Sequence, residues 1–261
     1  MAEDNLSGVH LQSFEPSSSI FFCDGVPISR EFDDVYFSVE GGIEETGYVF
    51  LNGNQIFDRW ENTKNLPGKD SQFRIGELGF GTGLNFFVTL NSWKNHQDPP
   101  NIKFISLEKF PIEKDILDEM KIHFPSVTPW PEQMLNDYLK ILTHLGKNPG
   151  SQIWKFQINH PKFDKSFFIE LYFGDILETL PKFPLVDAWY LDGFAPSKNP
   201  AMWSSEVFSL LKEKSRENTS LATFTAAGFV KRGLEEAGFK ITKRPGYGRK
   251  REMIVGRIGN D

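Results

Sequence analysis

One glycine-rich turn and four acidic residues are the parts of this 261-residue sequence whose types and spacing could do chemistry. The turn is RIGELGFGTGLN, Arg74 to Asn85, with Glu77 ahead of Gly79, Gly81 and Gly83 at alternate positions. Glycine is costly inside regular structure, so this density marks a backbone that bends tightly and lets something approach it closely. The other acidic residues are Glu108, Asp175 and Asp192, and each closes an apolar run: IKFISLE, LYFGD and VDAWYLD. A single acidic residue after a strand ordinarily caps a helix or sits in a solvated turn. Four of them at four strand ends would line one edge of a sheet, where a ligand rich in hydroxyl, amino or cationic groups could be held.

The elements that must position them alternate. Strands are expected at Phe73–Leu78, Ile102–Glu108, Leu185–Leu191 and Ser220–Phe224, and a hairpin at Ile153–Ile158 and Phe167–Phe173 around His160. Helices are expected at Gly83–Ser92, Ile112–His123, Pro131–Leu145 with Leu135, Leu139 and Leu142 on one face, Trp203–Leu211 and Gly228–Ala237. Such alternation implies an α/β fold with a mostly parallel, doubly wound sheet. Phe239–Lys243 and Met253–Arg257 follow each other without a helix and imply an antiparallel edge hairpin. Residues 1–72 read as an N-terminal extension of short elements, its first 20 residues polar and loosely held, and 73–261 as the α/β domain on which it packs.

In a doubly wound sheet, ligands sit beyond the carboxyl ends of the strands at the switch point, where a helix N-terminus favours anionic groups. A dinucleotide turn wants G-x-G-x-x-G, and Leu84 stands where the third glycine would be. The pattern present is E-x-G-x-G-x-G, the form typical of turns that bind S-adenosylmethionine (AdoMet) in Rossmann-like methyltransferases. Glu77, Gly79, Gly81, Gly83 and Asn85 are therefore candidate cofactor contacts. Glu108 is placed to accept from both ribose hydroxyls and Asp175 from the adenine amino group, with Ile176 over the ring. Asp192-Gly193-Phe194-Ala195-Pro196 puts a carboxylate, backbone carbonyls and an aromatic ring at the mouth, where many amine methyltransferases carry a D/N-P-P-Y loop.

Bulk properties narrow the class. The single cysteine, Cys23, allows no intrachain disulfide, has no metal-ligand spacing and reads as a packing residue. With no signal peptide and no membrane span, a cytoplasmic protein is expected. Net charge is −6, yet Lys240, Lys243, Arg244, Arg249, Lys250, Arg251 and Arg257, against Glu252 alone, make 240–257 a +6 segment on a −12 remainder. That is the footprint of a localised polyanion contact, or of a salt-bridged surface.

Several long motifs in order resemble the methyltransferase domain of the MnmC tRNA-modification enzymes. They are ELGFGTGLN (Glu77–Asn85), YLDGFAPSKNP (Tyr190–Pro200) with Met202-Trp203, ATFT (Ala222–Thr225) with Gly228-Phe229-Val230, and GRKREM (Gly248–Met253). FDDVYFS (Phe32–Ser38) and YVFLNGN (Tyr48–Asn54) match its N-terminal part; residues 126–170 do not match. The resemblance implies a Rossmann-like AdoMet-dependent fold with a seven-stranded sheet. It implies methylation of the exocyclic amine of 5-aminomethyluridine, often 2-thiolated, at the tRNA wobble position, with the anticodon stem-loop as partner. The chain resembles the standalone methyltransferase, so neither FAD nor a metal is expected. Asp192 would orient the amine and accept a proton as charge develops, and Phe194 or Trp203 would stack on the uracil ring. For Trp203 core packing is an equally good account. Lys243, Arg244, Arg249, Lys250 and Arg251 become candidates for tRNA phosphates. An amine methyltransferase acting on a small molecule or a protein would share the AdoMet residues without needing the basic segment.

Overall fold

The computed structural model describes residues 20–23, 26–37, 41–63, 72–123, 125–126, 129–145 and 152–259, so the expectation for the first 19 residues lies outside the described part. Strands β1 (Ile20–Cys23), β2 (Val26–Ser29) and β3 (Asp34–Val35) form a small antiparallel sheet. Helix α1 (Gly42–Thr46), a π-helical turn (Gly47–Asn52) and α2 (Ile56–Thr63) follow. The main sheet is built from β4 (Gln72–Leu78), β5 (Asn101–Glu108), β6 (Ile153–Asn159), β7 (Ser166–Phe173), β8 (Val186–Leu191), β9 (Ser215–Thr223), β10 (Phe239–Pro245) and β11 (Glu252–Ile258). Helices α3 (Leu84–Asn95), α4 (Lys114–His123), α5 (Glu132–Leu145), α6 (Ile176–Thr179), α7 (Ser205–Glu213) and α8 (Gly228–Glu236) connect them.

The strand order is β10-β11-β9-β8-β4-β5-β7-β6. Strands β9, β8, β4, β5 and β7 pair in parallel, and β11 and β6 run against their neighbours. The chain leaves β4 for β5 on one side and later enters β8 on the other, so the switch point lies between β4 and β8. The expected Rossmann-like α/β fold is the one observed. Its sheet has eight strands instead of seven because β6 pairs with β7 along its whole length, from Ile153↔Tyr172 to Asn159↔Ser166, and extends the edge.

Buried clusters cover both faces. The 25 Phe account for much of this, with Phe86, Phe104 and Phe167 in mutual edge or stacked contact. Helix α5 buries Met134, Tyr138 and Leu145, and Leu135, Leu139 and Leu142 flank that face. Tyr138 sets the rotation: its ring sits against Trp130 and Trp154, and its hydroxyl donates to Ile112 O at 3.1 Å. One local expectation, that for Cys23, is corrected: it is exposed at the end of β1 and does not pack inside.

The YVFLNGN motif is the means by which the N-terminal elements dock. Val49, Phe50 and Leu51, with Ile56 and Trp60 of α2, share one cluster with Phe73, Ile75, Tyr190 and Ala222 of the sheet. A Cβ on Gly53 would lie 2.0 Å from Val49 O and 2.9 Å from Ala222 Cβ, so only glycine permits this approach. The fully buried Asn54 side chain donates to Phe50 O (3.0 Å) and Trp189 O (3.2 Å) and accepts from Ser220 Oγ (2.6 Å). It thereby ties the extension to β8 and β9. Removing it leaves buried polar groups unpaired, at about 1–3 kcal/mol. Asn54→Ala is expected to lower the unfolding free energy by that amount, seen in urea as a lower midpoint with an unchanged m-value; an unmoved midpoint would show that the extension is held by apolar packing alone.

Candidate active site

The glycine turn runs from the end of β4 into α3. Gly79, Gly81 and Gly83 have φ of +80°, +51° and +81°, a left-handed backbone that costs other residues about 1–2 kcal/mol each. The bend is pinned from β5: Phe80 N–H donates to Leu107 O at 2.9 Å and Gly81 N–H to Glu108 Oε2 at 2.8 Å. The apolar Phe80 ring holds the turn in the core against Phe86 and Trp130. What remains on the open side is backbone and the N-terminus of α3.

The four acidic residues all lie at carboxyl ends, but their environments differ. Glu77 is buried within β4; one oxygen accepts from Ser106 Oγ at 2.6 Å, and Oε1 is buried with no hydrogen-bond partner among the described residues. Burial pushes its carboxyl well above the usual range, and the charges of Asp192 and Glu108 push the same way. Glu108 also accepts from Phe110 N–H at 2.8 Å; burial raises its pKa, and its backbone hydrogen bonds oppose the rise. Asp175 caps α6 by accepting from Leu177 N–H at 3.0 Å, and it pairs with Lys109 Nζ at 3.1 Å. Ile176 beside it is buried and lines the same cavity.

Asp192 ends β8. Its Oδ1 accepts from Gly193 N–H at 2.8 Å, and its Oδ2 from Asn85 Nδ2 at 2.6 Å. Asn85 Oδ1 in turn accepts from Thr46 Oγ1 at 2.9 Å. Thr46 therefore fixes which way the Asn85 amide faces. Burial raises the Asp192 pKa from 3.8 to about 6, against the lowering by Gly193, Asn85 and the Lys250 charge.

Two cavities meet here. One, of about 220 Å³, has the glycine turn, Glu108, Asp175 and Ile176 in its wall. The second, of about 350 Å³, is walled by Glu45, Thr46, Phe224 and Lys250. Tyr36, Asn85 and Asp192 belong to both. Tyr36 and the second cavity escape sequence reasoning because they depend on how the N-terminal elements fold over the sheet. The only trace of them is that Asp34 and Tyr36 lie within FDDVYFS.

Other predicted residues are placed as follows. Phe194 lines the first cavity, with its ring stacked on Phe32 (centroids 4.7 Å apart) and edge-on to Tyr36 (5.1 Å). Trp203 is a correction. It is 3% exposed, packs in the core beside Val207 and Leu211, and donates from Nε1 to Phe194 O at 3.2 Å. It supports the loop and cannot stack on a base. The basic segment is divided. Lys250 lines the second cavity, 2.6 Å from Glu45 Oε1 and 4.6 Å above the Phe224 ring. Lys243 pairs with Glu252 at 2.5 Å, Arg244 lies on a separate groove, and Arg249 and Arg251 are exposed on the turn between β10 and β11.

Residues 133–258 match a family model described as S-adenosyl-L-methionine-dependent methyltransferase. The matched stretch is just under half of the chain. The matched region contains YLDGFAPSKNP, ATFT and GRKREM, three of the motifs that resemble the MnmC domain. The fold is similar to that of MNMC2 from Aquifex aeolicus: 23% identity, TM-score 0.63, over 90% of this chain and 68% of that one. More distant are CalS10, an amino pentose methyltransferase from Micromonospora echinaspora (10% identity, TM-score 0.41, 87% of this chain and 99% of that one), and a methyltransferase from Pyrococcus furiosus (9%, 0.40, 78% and 82%). Among the described residues no helix is long and apolar enough to cross a membrane, and no group of three or more His, Cys, Asp or Glu could hold a metal ion.

The first cavity fits AdoMet chemically. Its wall carries the carboxyl groups of Glu31, Glu108, Asp175 and Asp192, which favour a ligand bearing a sulfonium and an ammonium; the buried Glu77, whose Oε1 has no partner among the described residues, lies outside that wall. The electrostatics give a pH test. A carboxyl whose folded pKa is raised binds more protons folded than unfolded between about pH 4 and 6, so its contribution to stability is lost as pH rises through that window. Asp192→Asn removes that penalty. Urea unfolding is expected to show variant and wild type nearly equal at about pH 4, and the variant more stable by about 1–3 kcal/mol at about pH 8. A difference independent of pH would mean that the Asp192 carboxyl is not held away from water.

Proposed function

We propose that this protein transfers a methyl group from AdoMet to the exocyclic amine of 5-aminomethyluridine, or its 2-thio form, at the wobble position of tRNA, giving the 5-methylaminomethyl product. The observation that carries this reading is the pair of cavities joined at Asn85 and Asp192, one suited to AdoMet and one open beside it. The MnmC-like motifs supply the substrate class.

When bound, AdoMet supplies an electrophilic methyl group on sulfur. Glu77, the turn at Gly79, Gly81 and Gly83, Glu108 and Asp175 would hold it, the latter two toward ribose and adenine. The protein's remaining task is to present a neutral amine in line, and holding reactants in that geometry is itself a large part of catalysis. An alkylamine has a pKa near ~10 and is mostly protonated at pH 7. In the second cavity, burial and the Lys250 ammonium favour its neutral form, whereas Asp192 favours the charged one. Asp192 therefore orients the amine through a hydrogen bond and takes up positive charge as it develops on nitrogen; it does not generate the free amine unaided. With its own pKa near 6, it is ionised at neutral pH and suited to that role. Phe194 lines the first cavity, so its ring would meet the uracil where the two cavities join, with Phe32 and Tyr36 beside it.

The test is to incubate the purified protein with AdoMet and tRNA lacking the modification, then weigh the wobble nucleoside. A single added methyl on tRNA bearing 5-aminomethyluridine is expected. Methylation of a small amine with tRNA ignored would replace this reading. Asp192→Ala is expected to cut turnover by roughly 10²–10⁴-fold, with a much smaller change in AdoMet affinity. Retained turnover would remove Asp192 from the chemistry. No gain in mass is expected on tRNA bearing the carboxymethylaminomethyl form, whose extra carboxylate would sit beside Asp192 and Glu45.

A further inference from the structure

A second basic feature lies away from the active site. Beside the terminal hairpin is a groove of about 410 Å³ whose wall includes Gln55, Lys240, Thr242, Arg244 and Arg257, and none of whose lining residues is acidic. The pairing explains the concentration of charge. Side chains alternate across a strand, so Lys240, Thr242 and Arg244 share one face of β10, and Arg257, directly opposite Lys240 on β11, joins them. Lys243 lies on the other face with Glu252. Behind the groove is Arg59, whose guanidinium is bound to Ser220 Oγ and to Asn218 O (3.4 Å), both neutral. Burial pushes its pKa down to about 10; the Asp187 charge opposes that and the Arg257 charge adds to it. Arg257 itself is held by the neutral Gln55.

The groove leads to the active site. Arg244 is next to Pro245, at the end of β10 nearest the cavities, and Lys240 lies about 13 Å further along at ~3.3 Å per residue. Tyr48 and Tyr247, with centroids 5.8 Å apart, bridge the two regions. Tyr48 donates to Pro245 O at 3.0 Å, and a Cβ on Gly41, beside the second cavity, would meet the Tyr247 hydroxyl at 3.0 Å. A row of cations, with two aromatic rings between its end and the second cavity, suits a strand of nucleic acid.

We propose that the sugar–phosphate backbone flanking the target nucleotide lies in this groove, with its phosphates held by Arg244, Lys240 and Arg257. This rests on the tRNA reading above. It keeps Arg244 from the expected set of Lys243, Arg244, Arg249, Lys250 and Arg251 and adds Lys240 and Arg257, since Lys250 faces the second cavity and Lys243 is neutralised by Glu252.

The experiment compares the full-length wild type with a Lys240→Gln, Arg244→Gln, Arg257→Gln variant and with a control carrying Lys121→Gln, Lys140→Gln and Lys212→Gln at exposed positions outside the groove. Binding of unmodified tRNA is measured across a salt series, with AdoMet binding by calorimetry and thermal unfolding as checks on the fold. Each lost phosphate contact flattens the slope of log K against log salt by ~0.7–0.9, so the groove variant is expected to lose about 2–3 from the slope and about tenfold or more in affinity at low salt. AdoMet affinity should be unchanged, and the control should follow wild type. A folded groove variant with the wild-type slope would overturn the proposal. A wild-type protein that neither binds nor methylates tRNA would overturn the tRNA reading itself, and the groove assignment with it.

Discussion

The hydrogen bond from Asn85 to Asp192 joins the two halves of the sheet at the place where its connectivity reverses. Asn85 is in the first turn of α3, immediately after β4, and Asp192 ends β8, the strand paired with β4 on its other side. Parallel neighbours bring their carboxyl ends level, which is why residues 107 positions apart can meet at 2.6 Å. Everything chemically suggestive in the molecule is arranged around this contact. The glycine turn approaches it from one side, the loop after β8 from the other, and both cavities include it in their walls.

The same contact concentrates negative charge. Glu77 and Glu108 each sit near Asp192 or one another, and burial raises the pKa of all three. Desolvated carboxylates cost stability unless something offsets them. Backbone N–H groups do part of this for Glu108 and Asp192, Ser106 for Glu77. The part left over is a preference for cationic ligands. The site is therefore less stable than its packing would allow, and a positively charged ligand would offset that cost. An apolar core of the same size would carry no such preference.

How much of this was legible in the sequence depended on whether the information was local. The turn, the strand-end acids and the alternation of elements rest on neighbours within a few residues, and β4 through β9 follow closely from them. Helix α5 and the shared face of Leu135, Leu139 and Leu142 were legible, but which residues it buries most deeply was not, because that depends on Tyr138 lying between Trp130 and Trp154. Trp203 left two accounts open, and its neighbours across the fold settled the matter. The division of the basic segment was not legible at all. Charge composition is the same for Lys243, Arg244 and Lys250, but strand pairing sends one to Glu252 and one into an acid-free groove, and the turn after Gly248 returns the third to Glu45.

The N-terminal elements are where sequence order and chemistry part most widely. Asp34 accepts from Ala195 N–H at 2.9 Å, Phe32 stacks on Phe194, and Thr46 holds the Asn85 amide. None of these contacts spans fewer than 39 positions along the chain. Without Thr46 the Asn85 amide would be free to turn its oxygen toward Asp192, placing two acceptors face to face in a buried site. Without Phe32 and Asp34 the loop after β8 would keep its sequence but lose its seat. A sheet with its glycine turn would still present the strand-end acids. The second cavity, and the orientation of the one carboxylate that both cavities share, exist only because the extension folds back over the switch point.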